Sequence, residues 1–187
     1  MSIKIGVFVG SLRRDSFCKK VAETFNSLMP ENYEMKIIDI GSLQMYNQDF
    51  DDDGTTPKEW ETFRKAVKEL DGFLFVTPEY NRSIPPVLKN ALDIASRPYG
   101  QNVWSGKPGA IISVSPGNIG GFGANHHLRQ VLSFLNVYTM QQPEAYLSSI
   151  TDSIDEQGNI SSDRTIQYMQ TIANGFVDWL DKFIANK

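Results

Sequence analysis

The chain has 187 residues, 41% of them hydrophobic, which is enough for one core of ordinary size and one domain. Lys and Arg number 18 against 22 Asp and Glu, and a net charge of −4 argues against duplex nucleic acid as a partner, because that surface needs cations to displace counterions. The lone cysteine, Cys18, excludes an intrachain disulfide and a Cys-rich metal site, and the adjacent His126 and His127 do not make a metal triad.

Residues 3–9 (Ile-Lys-Ile-Gly-Val-Phe-Val) are rich in β-branched side chains and stop at Gly10-Ser11, which predicts a first buried strand. From Ser16, the residues Cys18, Val21, Ala22, Phe25 and Leu28 recur at helical spacing up to Pro30. Residues 35–40 form a second short strand, and 41–55 an irregular loop rich in Asp, Asn, Gln and Gly. Thr56, Pro57 and Glu59 carry a helix-start signature, with Thr56 as the capping hydroxyl and Pro57 at the first helical position. Trp60, Phe63, Val67 and Leu70 give that helix its apolar stripe, and Asp71-Gly72 ends it. Residues 73–76 are a third strand with almost no polar content, as expected where both faces are covered.

Pro85-Pro86 opens a helix carrying Val87, Leu88, Ala91, Leu92 and Ala95, and residues 110–114 form a fourth strand. Leu128, Val131, Leu132 and Leu135 mark the next helix, after which a fifth strand begins at residues 137–140. Residues 155–159 (Asp-Glu-Gln-Gly-Asn) make a surface turn. A last helix from about Ser162 is expected to bury Ile166, Met169, Ile172, Ala173, Phe176, Leu180 and Phe183. Five strands alternating with five helices predict a doubly wound α/β fold with right-handed crossovers. At this length the natural arrangement is flavodoxin-like, a five-stranded parallel sheet in order 2-1-3-4-5 with helices on both faces. Its ligand site lies beyond the carboxyl ends of strands one and three. No run of about 18 apolar residues occurs and the N-terminal run is too short for a signal segment, so a cytoplasmic protein without membrane insertion is expected.

Three loops converge on that switch point. Residues 10–16 (Gly-Ser-Leu-Arg-Arg-Asp-Ser) run straight into a helix N-terminus, where free amides and the helix dipole favour an anion. Ser11, Ser16 and Arg13 add groups suited to a terminal phosphate. The loop is neither a Walker loop nor a phosphatase loop, since Thr24 rather than an arginine stands six positions after Cys18. The plainer reading is a capped helix start with two solvated arginines. Residues 77–86 (Thr-Pro-Glu-Tyr-Asn-Arg-Ser-Ile-Pro-Pro) are stiffened by proline at both ends and carry an aromatic and an amide, which suits a flat heteroaromatic ring. A proline-bounded turn with Tyr80 merely packing fits the same residues. Residues 113–123 hold four glycines, which let backbone approach a ligand closely or simply make a flexible turn. Together the loops offer a phosphate clamp, a rigid ring-edge cradle and a glycine-rich wall, as a mononucleotide flavin needs. No nucleophile–base pair stands out: His126 and His127 read as helix-surface residues, and Cys18 as a small core side chain.

Four stretches carry a family likeness: Gly10-Ser-Leu-Arg-x-x-Ser16, Thr77-Pro-Glu-Tyr-Asn-x-Ser-x-Pro85, Leu88-Lys-Asn-Ala-Leu-Asp93 and His127-Leu-Arg-Gln130. With them the sequence resembles the NAD(P)H-dependent FMN reductases of the flavodoxin superfamily, in the bacterial branch that includes quinone and chromate reductases. The resemblance implies non-covalent FMN with Ser11, Arg13 and Ser16 on its phosphate, and it places Phe17 and Cys18 among the cofactor-binding residues. Pro78, Glu79, Tyr80 and Asn81 would line the isoalloxazine, with Ser115 and Gly117 on the facing loop. Arg97 falls where related proteins place a basic residue near the substrate. Pro116 and Asn118 replace the apolar residues commoner in the family. Implied too are a homodimer or homotetramer, no catalytic side chain or metal, and a ping-pong transfer of hydride from NAD(P)H to a small acceptor: a quinone, flavin, azo compound or chromate. Two competitors are a flavodoxin-type electron carrier without NAD(P)H turnover and a scaffold or redox sensor that uses FMN structurally.

Overall fold

A computed structural model describes residues 2–184 of the chain. In chain order the elements are β1 (Ile3–Val9), α1 (Phe17–Ser27), β2 (Tyr33–Ile37), α2 (Asp49–Asp52), α3 (Lys58–Lys68), β3 (Gly72–Thr77), α4 (Pro86–Ala95), β4 (Pro108–Val114), α5 (Phe122–Phe134), β5 (Tyr138–Thr139), β6 (Ala145–Leu147), a 3-10 turn (Ile150–Ser153) and α6 (Asp163–Ile184). The strands form a parallel sheet in the order β2-β1-β3-β4-β5, with β6 also paired to β4. This is the flavodoxin-like order expected. β3 and β4 are buried along their whole length, whereas β2, at the edge, is largely open.

The two-residue period of a strand sends alternate side chains to opposite faces. Leu74 and Val76, with Ile5, Val7 and Ile112, join a core completed by Phe25 of α1 and by Phe176 and Leu180 of α6. Phe73 and Phe75, with Phe8 and Ile111, meet Trp60 and Phe63 of α3, Leu88 and Leu92 of α4, and Leu128 of α5. Trp104 plugs this second core, 5.0 Å from the rings of both Phe8 and Phe73, and its indole N–H donates to the Leu92 carbonyl at 3.0 Å. Helices therefore cover both faces, in three layers.

The structure corrects several sequence-based boundaries. β2 runs over Tyr33–Ile37 rather than 35–40, because Ile38 and Asp39 already turn into the long loop. The expected fifth strand is broken in two: β5 pairs with the start of β4 and β6 with its end. Pro143, in the gap, has no N–H to give a ladder. The loop over 41–55 contains the one-turn helix α2, making six α-helices among the described residues rather than five. Thr56 is not the cap of α3: Pro57 takes that position, and the Thr56 hydroxyl donates to Asp51 Oδ1 at 2.9 Å. Ile166 and Phe183 are half-buried rather than buried, Phe183 stacking on Tyr138 at 4.8 Å. The 155–159 turn forms as expected, closed between bridged Ile154 and Ile160.

Candidate functional site

β1 pairs with β2 on one side and β3 on the other, and from that divide the winding runs in opposite directions. The loops after β1 and β3 are pressed together here. The Gly10 amide donates to the Val76 carbonyl at 2.8 Å, and a β-carbon at Gly10 would stand 3.0 Å from Pro85 Cγ and 3.1 Å from Pro78 Cδ. A side chain at Gly10 would crowd both prolines. Beyond it, the amides of Ser11, Leu12, Arg13 and Arg14 donate to no protein acceptor among the described residues. A row of unpaired N–H groups leading into a helix is an anion cradle. The Arg13 guanidinium lies over the Phe17 ring, 5.7 Å from its centroid, and takes no carboxylate partner among the described residues. Ser16 caps α1, its Oγ accepting from the Lys19 amide at 3.2 Å, and is only 2% exposed.

In the second loop, Tyr80 and Ser83 exchange both backbone hydrogen bonds at 2.9 Å. Asn81 (φ 51°) and Arg82 (φ 66°) make the tight turn between them in left-handed conformation. The Glu79 carboxylate looks toward α5: Oε2 accepts from the Ala124 amide and Oε1 from Arg82, both at 3.0 Å. The amides of Glu79 and Asn81 remain unpaired among the described residues. The third loop is anchored from beneath. Buried Ser113 donates to the Gly120 carbonyl at 2.7 Å, Asn125 bonds Ser113 and the Ala145 carbonyl at 3.3 Å, and the Ser115 hydroxyl accepts from the Gly117 amide.

Between the loops lies a cavity of about 230 Å³, mostly apolar, lined by Ser11, Arg13, Phe17, Cys18, Pro78, Glu79, Tyr80, Val114, Ser115 and Pro116. Eight of the eleven expected cofactor residues thus meet at one place. The other three lie just outside: Ser16 is committed as the cap, Asn81 faces solvent at the turn, and Gly117 lies past Ser115. Arg97 does not join them. It follows the C-terminus of α4, whereas the loops meet that helix's N-terminal end, and ten residues of helix span about 15 Å. Its charge bears on Tyr46, whose hydroxyl pKa is raised by burial and Asp51 and pulled down by Arg97. Arg14 likewise faces other grooves. Larger surface grooves exist, one of about 570 Å³ beside Tyr146 and Tyr168, but it does not sit where the three loops converge.

Two lining residues, Val114 and Pro116, carry no signal of a binding role in the sequence: Val114 closes a strand and Pro116 departs from the family pattern. Burial pushes the Cys18 thiol up to about 12, so it is a neutral wall group and not a redox nucleophile. The described residues contain no group of three His, Cys, Asp or Glu side chains able to hold a metal, and no helix long and apolar enough to cross a membrane.

Residues 3–152 match the family model described as NADPH-dependent FMN reductase. A quinone reductase of Pseudomonas putida KT2440 is 48% identical over 176 residues, 94% of each chain. A 2-hydroxy-1,4-benzoquinone reductase of a Burkholderia species is 49% identical over 180 residues, covering 96% of this chain and 97% of the relative. Among solved structures, the flavoenzyme NAD(P)H:(acceptor) oxidoreductase FerB of Paracoccus denitrificans superposes with a TM-score of 0.89 at 37% identity, covering 97% of this chain and 98% of its own.

Proposed function

Since the chain belongs to the NADPH-dependent FMN reductase family, we propose that it is an FMN-dependent NAD(P)H:quinone oxidoreductase working by a ping-pong mechanism. The observation that carries this reading is the row of amides at Ser11–Arg14, unpaired among the described residues, beside an Arg13 that has no carboxylate partner among them and opening onto the apolar cavity under Tyr80. That donor set fits a phosphate joined to a flat ring. Bound FMN supplies the redox chemistry, so that NAD(P)H, a proton and a quinone become NAD(P)⁺ and a hydroquinone.

The chain's own residues bind and orient. Ser11, Arg13 and the adjacent amides hold the phosphate, while Ser16, as the cap of α1, keeps those amides aligned. The Glu79 and Asn81 amides donate to the polar edge of the ring, and Tyr80, Pro78, Ser115 and Pro116 bound it, with Phe17 and Cys18 behind. Gly117, bonded to the Ser115 hydroxyl, shapes the loop rather than touching the ligand. Donor and acceptor use one open face in turn, which is why no acid–base pair is required.

The same reading makes the chain one domain, working in the cytoplasm where NAD(P)H is supplied. It assembles as a homodimer or homotetramer, supported by the exposed Tyr99 (93%) and Phe134 (83%). Arg97, remote from the pocket of its own chain, would act on substrate only across such an assembly. The test is FMN titration of the purified chain by fluorescence, then NAD(P)H oxidation with 1,4-benzoquinone. Tight flavin uptake and turnover far above that of free FMN are expected. Absence of flavin uptake refutes the reading, and uptake without turnover assigns the chain to the electron carriers.

A further inference from the structure

The stretch His127-Leu128-Arg129-Gln130 stands out in the sequence but takes no part in the pocket. Two of its residues build the fold. Leu128 is fully buried, and Arg129 bonds Asn125 Oδ1 at 3.1 Å and the Met140 carbonyl at 2.9 Å. His127 is different: it is exposed and shares a 2.7 Å hydrogen bond between its Nδ1 and Ser83 Oγ.

Ser83 closes the turn that walls the pocket. A two-residue turn with both central residues at positive φ ordinarily carries Asn-Gly. Here Arg82 stands where glycine would, and two side-chain-bearing residues in left-handed conformation are costly unless something outside the turn holds them. The first turns of α5 supply that hold at three points. Glu79 bonds the Ala124 amide on the incoming side. Gly123 packs so tightly that a β-carbon there would stand 2.9 Å from the Arg82 carbonyl oxygen. His127 bonds Ser83 on the outgoing side. Without it, Ser83 itself is tied only through its two backbone bonds with Tyr80 among the described residues.

We propose that His127 is a positioning residue for the flavin-edge wall: through Ser83 Oγ, its Nδ1 clamps the Tyr80–Ser83 turn to α5 in the conformation that presents Tyr80 and the Glu79 and Asn81 amides to the pocket. The clamp is a feature of the chain itself; its effect on flavin rests on the function proposed above. Two readouts separate them. Amide hydrogen exchange at Tyr80 and Ser83 in the flavin-free chain reads the clamp directly, and FMN titration reads its consequence. His127→Ala and Ser83→Ala should each speed exchange at those two amides, and raise the FMN Kd, by about threefold to tenfold, the range of one hydrogen bond of ordinary net strength. The double variant should be no worse than either single one, since both remove the same bond. His127→Asn should return both readouts to within about twofold of wild type, because the asparagine amide occupies the place of Nδ1. Exchange in β4, unchanged in every variant, shows that the fold is intact. Unaltered exchange at Tyr80 and Ser83 in His127→Ala overturns the proposal. So do effects that multiply in the double variant, or an Asn variant no better than Ala. A wild-type chain that takes no FMN refutes the flavin reading, while the exchange rates still decide the clamp.

Discussion

Gly10→Ala probes the crossing on which the pocket depends. The added methyl would stand 3.0 Å from Pro85 Cγ, 3.1 Å from Pro78 Cδ and 3.3 Å from Thr77 Oγ1. Carbon atoms rest at about 3.5–4.0 Å, so the two loops must part by a few tenths of an ångström. Neither gives way freely, since Gly10 is tied to the Val76 carbonyl at 2.8 Å and the proline rings cannot rotate aside. Overpacking of this kind costs about 1–3 kcal/mol, and at about 2–4 °C per kcal/mol for a chain of this size the Tm should fall by roughly 2–12 °C. The same parting moves the Ser11–Arg14 amides away from those of Glu79 and Asn81, so one ligand no longer satisfies both sets. Losing one hydrogen bond to a charged phosphate, about 1.5–3 kcal/mol, weakens FMN by about tenfold to hundredfold. The assays are thermal melting and FMN fluorescence titration, with Gly54→Ala as control. Gly54 has open space around it but a φ of 67°, so alanine there should lower Tm and leave FMN affinity alone. A Gly10→Ala chain that melts within 1 °C of wild type and binds FMN within twofold would refute the reasoning.

Arg13→Ala should weaken FMN by about tenfold to hundredfold while leaving Tm within a degree or two, because its guanidinium is exposed and has no carboxylate partner among the described residues; titrations of both chains decide it. Asp51 and Arg64 form a largely buried two-point ion pair at 2.8 and 2.7 Å, with Arg64 Nε also on the Ile94 carbonyl, so Asp51→Asn should cost about 3–5 kcal/mol in denaturant unfolding. The Arg64 hydrogen bond holds the Asp51 carboxyl below its unfolded value near 3.8. Its stabilisation is therefore complete above that pH and is lost as pH falls through the lower folded value, and Asp51→Asn should remove that part of the acid limb of a stability–pH curve. Cys18, with a thiol near 12, should resist thiol reagents at pH 8 in the native chain and react on unfolding; fast native labelling would contradict its placement.

The order of elements was legible because hydrophobic period reports burial. The residues 73–76, apolar throughout, suggest a strand covered on both faces, and β3 is buried along its whole length. From the order of strands the switch point followed, and with it the three loops that meet at the cavity. Single hydroxyls were less legible. Ser16 and Thr56 each have an oxygen that can serve a ligand, a helix cap or a side chain, and the chain alone does not say which. Ser16 went to the cap of α1 and Thr56 to Asp51.

What the sequence by itself determined is therefore the layered α/β architecture and the convergence of the loops after β1, β3 and β4, since these rest on hydrophobic periodicity and on the order of the strands. Only the tertiary structure decided what depends on residues distant along the chain. The last strand is split into β5 and β6, which pair with opposite ends of β4. Arg97 is carried to the far end of α4, and Val114 and Pro116 come to line the cavity beside Tyr80. His127 meets Ser83 across 44 residues. Such pairings are set by how helices pack across the sheet, a property that no local spacing encodes.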